Sequence, residues 1–312
     1  MKTELNSRRV PELSLNSYLE GTALDRTRFV DDFFAGLRDY GFIVLKDHSI
    51  DEALLNKSYS LAEALFALPE ESKLAYAVEG AGGQAGYTPF GREHAKGRTI
   101  ADLKEFWHVG RRHNLWPREL PEFQAVFERM YRELDRVGHA LLAALAAPLG
   151  VAHDYFFDMT KDGDSLLRVL HYPPVPPELA AGGAIRAAPH EDINLITILV
   201  SATASGLELK DRDGRWLPIE SDPNSLIVDA GDMLARLTNE VIPSTTHQVV
   251  NPTGANGHRY SMPFFIHPHA KASLACLPSC ATGFGSADGP RHPDILAGDF
   301  LMERLREIGL VK

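Results

Sequence analysis

The feature that most constrains the fold is a change of texture near Gly150. Between Glu119 and Leu149, Phe123, Val126, Phe127, Met130, Tyr131, Leu134, Val137 and Leu141 recur at helical spacing on one stripe, which Pro148 and Gly150 end. Beyond that point the apolar residues come in short runs separated by turn residues, over 165–172, 192–200, 206–210, 215–219, 225–229, 233–237, 246–251 and 259–266. Such runs predict strands, and about eight of them in one region predict a double-sheet jelly roll. The expected class is α+β with a mainly β core: a double-stranded β-helix (jelly roll) flanked by helices from the N-terminal half and by a C-terminal helix.

The flanking segments follow the same rules. Phe29, Phe33 and Leu37 share a face of a helix over 25–40 that stops at Gly41, and the strand Gly41-Phe-Ile-Val-Leu45 comes next. A second amphipathic helix spans about 51–68, and a last one follows Pro293 with Phe300, Leu301, Leu305 and Ile308 apolar. The chain thus divides into an N-terminal region packing on the core (1–118), a long helix (119–149), the jelly-roll core (150–272) and a C-terminal segment with its helix (273–312).

With 312 residues, 44% hydrophobic and 24% charged, the chain has the composition of a folded globular protein. A net charge of -10 without a run of Lys or Arg disfavours nucleic acid as a partner. Neither an apolar leader nor a membrane-length apolar stretch occurs, so a cytoplasmic protein without membrane association is expected. Cys276 and Cys280 are too few for a structural zinc site and read as free thiols.

Two motif look-alikes are set aside. Gly80-Ala-Gly82-Gly-Gln-Ala85 lacks the strand before and the helix after it that a dinucleotide site needs, and a mobile loop over 79–97 is expected. Asp211-Arg-Asp213-Gly214 lacks the closing Glu of a calcium loop and reads as a hairpin turn.

The chemistry concentrates around His190-Glu191-Asp192. With 13 His and 21 Asp in the chain, roughly one His-x-Asp arises by chance, and a second copy, His292-Pro293-Asp294, is present. Only the first leads into an apolar strand, has His247 55 residues beyond Asp192, and is followed by Arg259-Tyr260-Ser261 12 residues after His247. Two imidazoles and a carboxylate on one face of an octahedron leave three positions open, which suits non-haem Fe(II). An Arg fork with a hydroxyl two residues on suits a carboxylate.

These residues, with Gly41-Phe-Ile-Val-Leu-Lys-Asp-His48, His171-Tyr-Pro-Pro174, Gly231-Asp-Met-Leu234 and Arg259-Tyr-Ser-Met-Pro-Phe-Phe265, resemble the isopenicillin N synthase-like family of iron(II)/2-oxoglutarate-dependent oxygenases over nearly the whole chain. The resemblance implies that His190, Asp192 and His247 are metal ligands, and that Arg259 and Ser261 bind the distal carboxylate of 2-oxoglutarate with Tyr172 beside them. It also implies Fe(II), 2-oxoglutarate and O2 as cofactor and co-substrates, and oxidation of a small molecule, by default hydroxylation, with release of succinate and CO2. The ethylene- and succinate-forming branch is the alternative within the family, and a non-catalytic jelly-roll binding or sensor protein the alternative outside it.

Leu170 and Gln248 depart from the family pattern, where Asn and Arg are common, and the stretch from His247 to Arg259 is two residues longer than usual. Such an even insertion preserves strand parity. Arg168, His171, Phe90 and Phe264 are further candidates for the substrate pocket, with packing roles as the competing reading.

Overall fold

The computed structural model describes residues 9–78, 85–94, 100–282 and 289–308. Its strands, in chain order, are β1 (Glu12–Ser14), β2 (Phe42–Lys46), β3 (Gly86–Thr88), β4 (Glu105–Gly110), β5 (Leu166–Tyr172), β6 (Ala187–His190), β7 (Ile196–Val200), β8 (Leu207–Lys210), β9 (Trp216–Pro218), β10 (Leu226–Ala230), β11 (His247–Val249) and β12 (Arg259–Ile266). They form an eight-stranded sheet in the order β1-β2-β10-β7-β12-β5-β4-β3 and a four-stranded sheet in the order β6-β11-β8-β9. Pairing is antiparallel except between β1 and β2. The two sheets make the expected jelly roll.

Side-chain alternation gives the large sheet two buried faces with different tasks. Ile43, Val169, Ile198, Val228 and Phe264 point outward into the main hydrophobic core, which they share with the helices. Phe42, Leu170, Leu199 and Ile227 point the other way, into a smaller core with Leu207, Leu209 and Val249 of the second sheet. Runs such as Ile196-Thr-Ile-Leu-Val200 are buried throughout because both faces are covered. The helix Phe123–Ala146 supplies Phe127, Met130, Leu134 and Leu141 to the outer core, as its sequence stripe predicts.

The helix Ala23–Tyr40 is closed at its start by a capping box between Thr22 and Asp25 and ends at Gly41, whose φ of 70° is the left-handed C-cap conformation that glycine tolerates best. The helices Glu52–Phe66 and Ala297–Glu307 match the remaining sequence expectations within a few residues. The 211–215 segment is a turn between β8 and β9, with the Asp211 side chain accepting from the amides of Asp213 and Arg215. Both cysteines are free. Most of the glycine-rich stretch, residues 79–84, and residues 95–99 lie outside the described residues.

Two sequence expectations are corrected. Residues 233–237, expected as a strand, belong to the helix Asp232–Leu237, in which Met233, Leu234, Ala235 and Leu237 are buried. A short apolar run has no period to separate strand from helix, and Met, Leu, Ala and Arg all favour helix once packing permits it. The strand expected from Asp192 starts only at Ile196, so Asp192 sits in a loop between β6 and β7.

Candidate active site

The three metal-ligand candidates come together where the paired strands β6 and β11 meet the loop that follows β6. His190 ends β6, His247 begins β11, and the two are cross-strand partners with ring centroids 4.3 Å apart. The Nδ1 of His190 lies 2.7 Å from the Ala188 carbonyl and that of His247 lies 3.1 Å from the Thr245 carbonyl. Donation from each Nδ1 to its carbonyl fixes the tautomer that leaves the Nε2 lone pair for a metal. Those Nε2 atoms are 3.9 Å and 3.8 Å from Oδ1 of Asp192, and one ligand atom from each residue falls within a 4.8 Å cluster. Ligands about 2.1 Å from one ion sit roughly 3–4 Å apart, so the donor set fits a metal. Burial and the neighbouring His190 lower the pKa of His247 to about 4, keeping its imidazole neutral.

Since Asp192 is off the strand, tertiary contacts aim it. The hydroxyl of Thr197 on β7 donates to Oδ2, leaving Oδ1 toward the imidazoles. The amide of Asp232 donates to the Asp192 carbonyl at 2.7 Å, and Gly231 fits beneath the loop where a side chain would collide with the Asn194 carbonyl. Asp229, the cross-strand partner of Thr197, is buried beside Asp192. Burial, then the charge of Asp192, push its pKa well above the usual carboxylate range.

The inner face of β12 presents Arg259 and Ser261, in register with Tyr172 and Leu170 of β5, to a narrow pocket that the triad also borders. Arg259 is 1% exposed; its Nε donates to the Ala204 carbonyl at 3.0 Å, and its guanidinium carbon lies 5.0 Å from the centroid of the Tyr172 ring. Its Nη1 is buried without a hydrogen-bond partner. A buried guanidinium N–H left unpaired is costly, and a ligand carboxylate would satisfy it. The residues thus fit 2-oxoglutarate as well as iron. His247 and Arg259, at the two ends of their connection, both face this pocket. Asn251 and Asn256 in that connection bond Ala184 and Val175, and Arg186 donates to Gly257. Gln248 turns away from His247 and donates to Glu208 at 2.8 Å.

On the other side of the triad lies a cavity of about 530 Å³, lined in part by the helices Asp232–Leu237 and Ala297–Glu307. Arg168 lines it, its guanidinium 4.1 Å from the Phe106 ring centroid and bonded to Glu93 at 3.1 Å. The other candidates behave differently. Phe264 packs edge-on to Tyr131 in the outer core, and His171, on the same outer side, bonds Glu105 and His258 at 2.7 Å each. Phe90 is 39% exposed. His292 of the second His-x-Asp pairs with Glu240 at 3.0 Å at the rim of the cavity.

Sequence reasoning missed Thr197, Asp229, Glu93 and His267. Thr197 and Asp229 were legible only as polar interruptions in apolar runs. His267 continues the inward parity of 259, 261, 263 and 265 one step past β12.

The comparisons agree with this geometry. A model described as the 2OG-Fe(II) oxygenase superfamily matches residues 163–268, and one described as the N-terminal region of non-haem dioxygenases in morphine synthesis matches 10–125. A proline hydroxylase of Petromyces alliaceus is 30% identical over 86% of this chain and 90% of its own. A crystal structure of a 2OG-Fe(II) oxygenase family protein from Caulobacter crescentus is 42% identical, with a TM-score of 0.84 over 96% of this chain and 99% of the other. A full-length Neurospora crassa protein, solved in complex with alpha-KG and thymine, is 27% identical with a TM-score of 0.87 over 97% of this chain and 98% of its own. Fold, donor set and relatives converge along most of the sequence, and the chain belongs to the 2OG-Fe(II) oxygenase superfamily, the iron- and 2-oxoglutarate-dependent dioxygenases.

Proposed function

We propose that His190, Asp192 and His247 hold the iron and that Arg259, Ser261 and Tyr172 hold the distal carboxylate of 2-oxoglutarate, in an enzyme that hydroxylates a small molecule. The observation that carries this reading is the unpartnered Nη1 of buried Arg259, in a pocket bordered by all three metal-ligand candidates. Bound Fe(II) supplies O2 activation coupled to oxidation of 2-oxoglutarate to succinate and CO2. The protein's part is placement. The imidazoles of His190 and His247 and the Thr197-oriented carboxylate of Asp192 would hold the metal, and Arg259 would fix the far end of the co-substrate. The cavity of about 530 Å³ is in the range of small-molecule pockets, and the structural neighbour from Neurospora crassa was solved with thymine bound.

Within this reading residues 1–118 form the N-terminal region, 119–149 the long helix, 150–272 the oxygenase core and 273–312 the C-terminal segment that walls the cavity. An intact donor set beside an unpaired buried arginine stands against a non-catalytic binding protein. The test loads the protein anaerobically with Fe(II) and 2-oxoglutarate, admits air and measures succinate and CO2. Formation of both, dependent on iron, is expected; their absence at every substrate tried would sink the assignment.

A further inference from the structure

A second buried arginine stands beside the one assigned to the co-substrate. Arg186, immediately before β6, is 2% exposed. Its backbone is clamped by the Asn251 side chain, which accepts from the Arg186 amide at 3.1 Å and donates to the Ala184 carbonyl at 2.9 Å. The Nη2 of Arg186 donates to the carbonyl of Gly257, two residues before Arg259, while its Nε is buried without a hydrogen-bond partner. Arg259 likewise keeps an unpartnered Nη1.

The two guanidiniums lie within electrostatic reach of each other. Burial, then the charge of Arg259, lower the pKa of Arg186, and Tyr172 works in the opposite direction on both. Among the described residues no carboxylate lies within ion-pair distance of either. An arginine so enclosed is ordinarily paired with an anion. Here two unpaired cations share one corner of the fold, and like charges held close repel until an anion arrives. Arg186 stands behind the pocket wall that Arg259, Ser261 and Tyr172 form, so it reaches a bound co-substrate by its field and not by contact.

We infer that Arg186 is a positioning residue for the co-substrate: beside Arg259 it supplies a second positive charge that strengthens the hold on the distal carboxylate and biases the pocket toward a 2-oxo acid carrying one. A tether alone, holding the connection before Arg259 through the Gly257 carbonyl, is the competing role. A tether acts on whatever the pocket binds. A charge acts on the distal carboxylate. The inference rests on the iron and 2-oxoglutarate reading above, and the experiment separates the two.

Anaerobic Fe(II) protein is titrated with 2-oxoglutarate and with 2-oxopentanoate, which has the same carbon chain without the distal carboxylate, and the visible charge-transfer band of the complex is followed. Failure of the wild type to give the band with 2-oxoglutarate indicts the metal and co-substrate assignment. Given the band, Arg186→Met should weaken 2-oxoglutarate about tenfold or more, the scale of a partly screened charge interaction. Arg186→Lys, which keeps the charge, should lose less than about threefold. Arg186→Gln, which keeps a donor for the Gly257 carbonyl without the charge, should bind as weakly as Arg186→Met, and it carries the test if that variant does not fold. Fe(II) affinity without co-substrate and binding of 2-oxopentanoate should match the wild type throughout, so the preference for 2-oxoglutarate narrows by the same factor. Unchanged 2-oxoglutarate binding in Arg186→Met, recovery by Arg186→Gln, or a parallel loss of iron or of 2-oxopentanoate overturns the inference and leaves Arg186 a structural tether.

Discussion

Arg259 faces Tyr172 directly across the β5–β12 pair, with its guanidinium carbon 5.0 Å from the ring centroid and Nη1 unpaired. Burial lowers the pKa of Arg259, and its environment holds no carboxylate partner among the groups that shift it. The side chain is thus a preformed cation short of one anion.

Arg259→Ala is expected to cost about 3 kcal/mol or more in 2-oxoglutarate binding, which is at least roughly a hundredfold in affinity. Iron binding should survive. Arg259→Lys should recover only part, because an ammonium lacks the planar two-donor edge. An anaerobic titration of the Fe(II) protein with 2-oxoglutarate reads all three, and a shift below about fivefold would mean that the carboxylate is anchored elsewhere.

His247→Ala and Asp192→Ala should each abolish turnover and cut iron content while leaving the fold largely intact, His247 giving up an edge contact to Phe42. His292→Ala, which removes only the rim contact to Glu240, should leave iron content unchanged. Metal analysis of the purified variants decides between the two His-x-Asp copies.

Gly231→Ala is expected to weaken iron binding without touching a ligand. The new methyl would collide with the Asn194 carbonyl and come within 2.9 Å of the Asp192 carbonyl, so the loop that aims Asp192 must shift. A loss of about tenfold or more in iron affinity is the scale expected when ligand support is disturbed. Wild-type affinity in the variant would show that the loop relaxes at no cost to the site.

In the metal-free protein, His267 and His247 are each lowered to about 4, by burial in both cases and by the neighbouring His190 for the second. An unfolded chain protonates these imidazoles near pH 6.5, so between about pH 6.5 and pH 4 the unfolded state binds protons that the folded state does not. Stability therefore falls as the pH drops through that window, by up to about 3 kcal/mol for each imidazole, and neither group contributes above it. Urea unfolding at pH 7 and pH 5 measures the effect. His267→Phe should show a smaller drop than wild type; an equal drop would falsify the neutral, buried state of this imidazole.

The sequence by itself determined the fold class and singled out His190, Asp192, His247 and Arg259 as candidates. Strand residues two apart share a face, which ties Arg259 to Ser261, and the helical stripe of 123–146 follows from periodicity alone. Only the tertiary structure decided how Asp192 is aimed. Asp192 lies off the strand, and the groups that orient it, Thr197, Gly231 and Asp232, come from another strand and from the start of the helix Asp232–Leu237. The same holds for the raised pKa of Asp229, for the ion pairs of Glu93 and for His267 facing the cavity. Periodicity reports which face a side chain takes on its own element. It carries no information on which distant element will close over that face, and burial, charge pairing and pKa are set by that second surface.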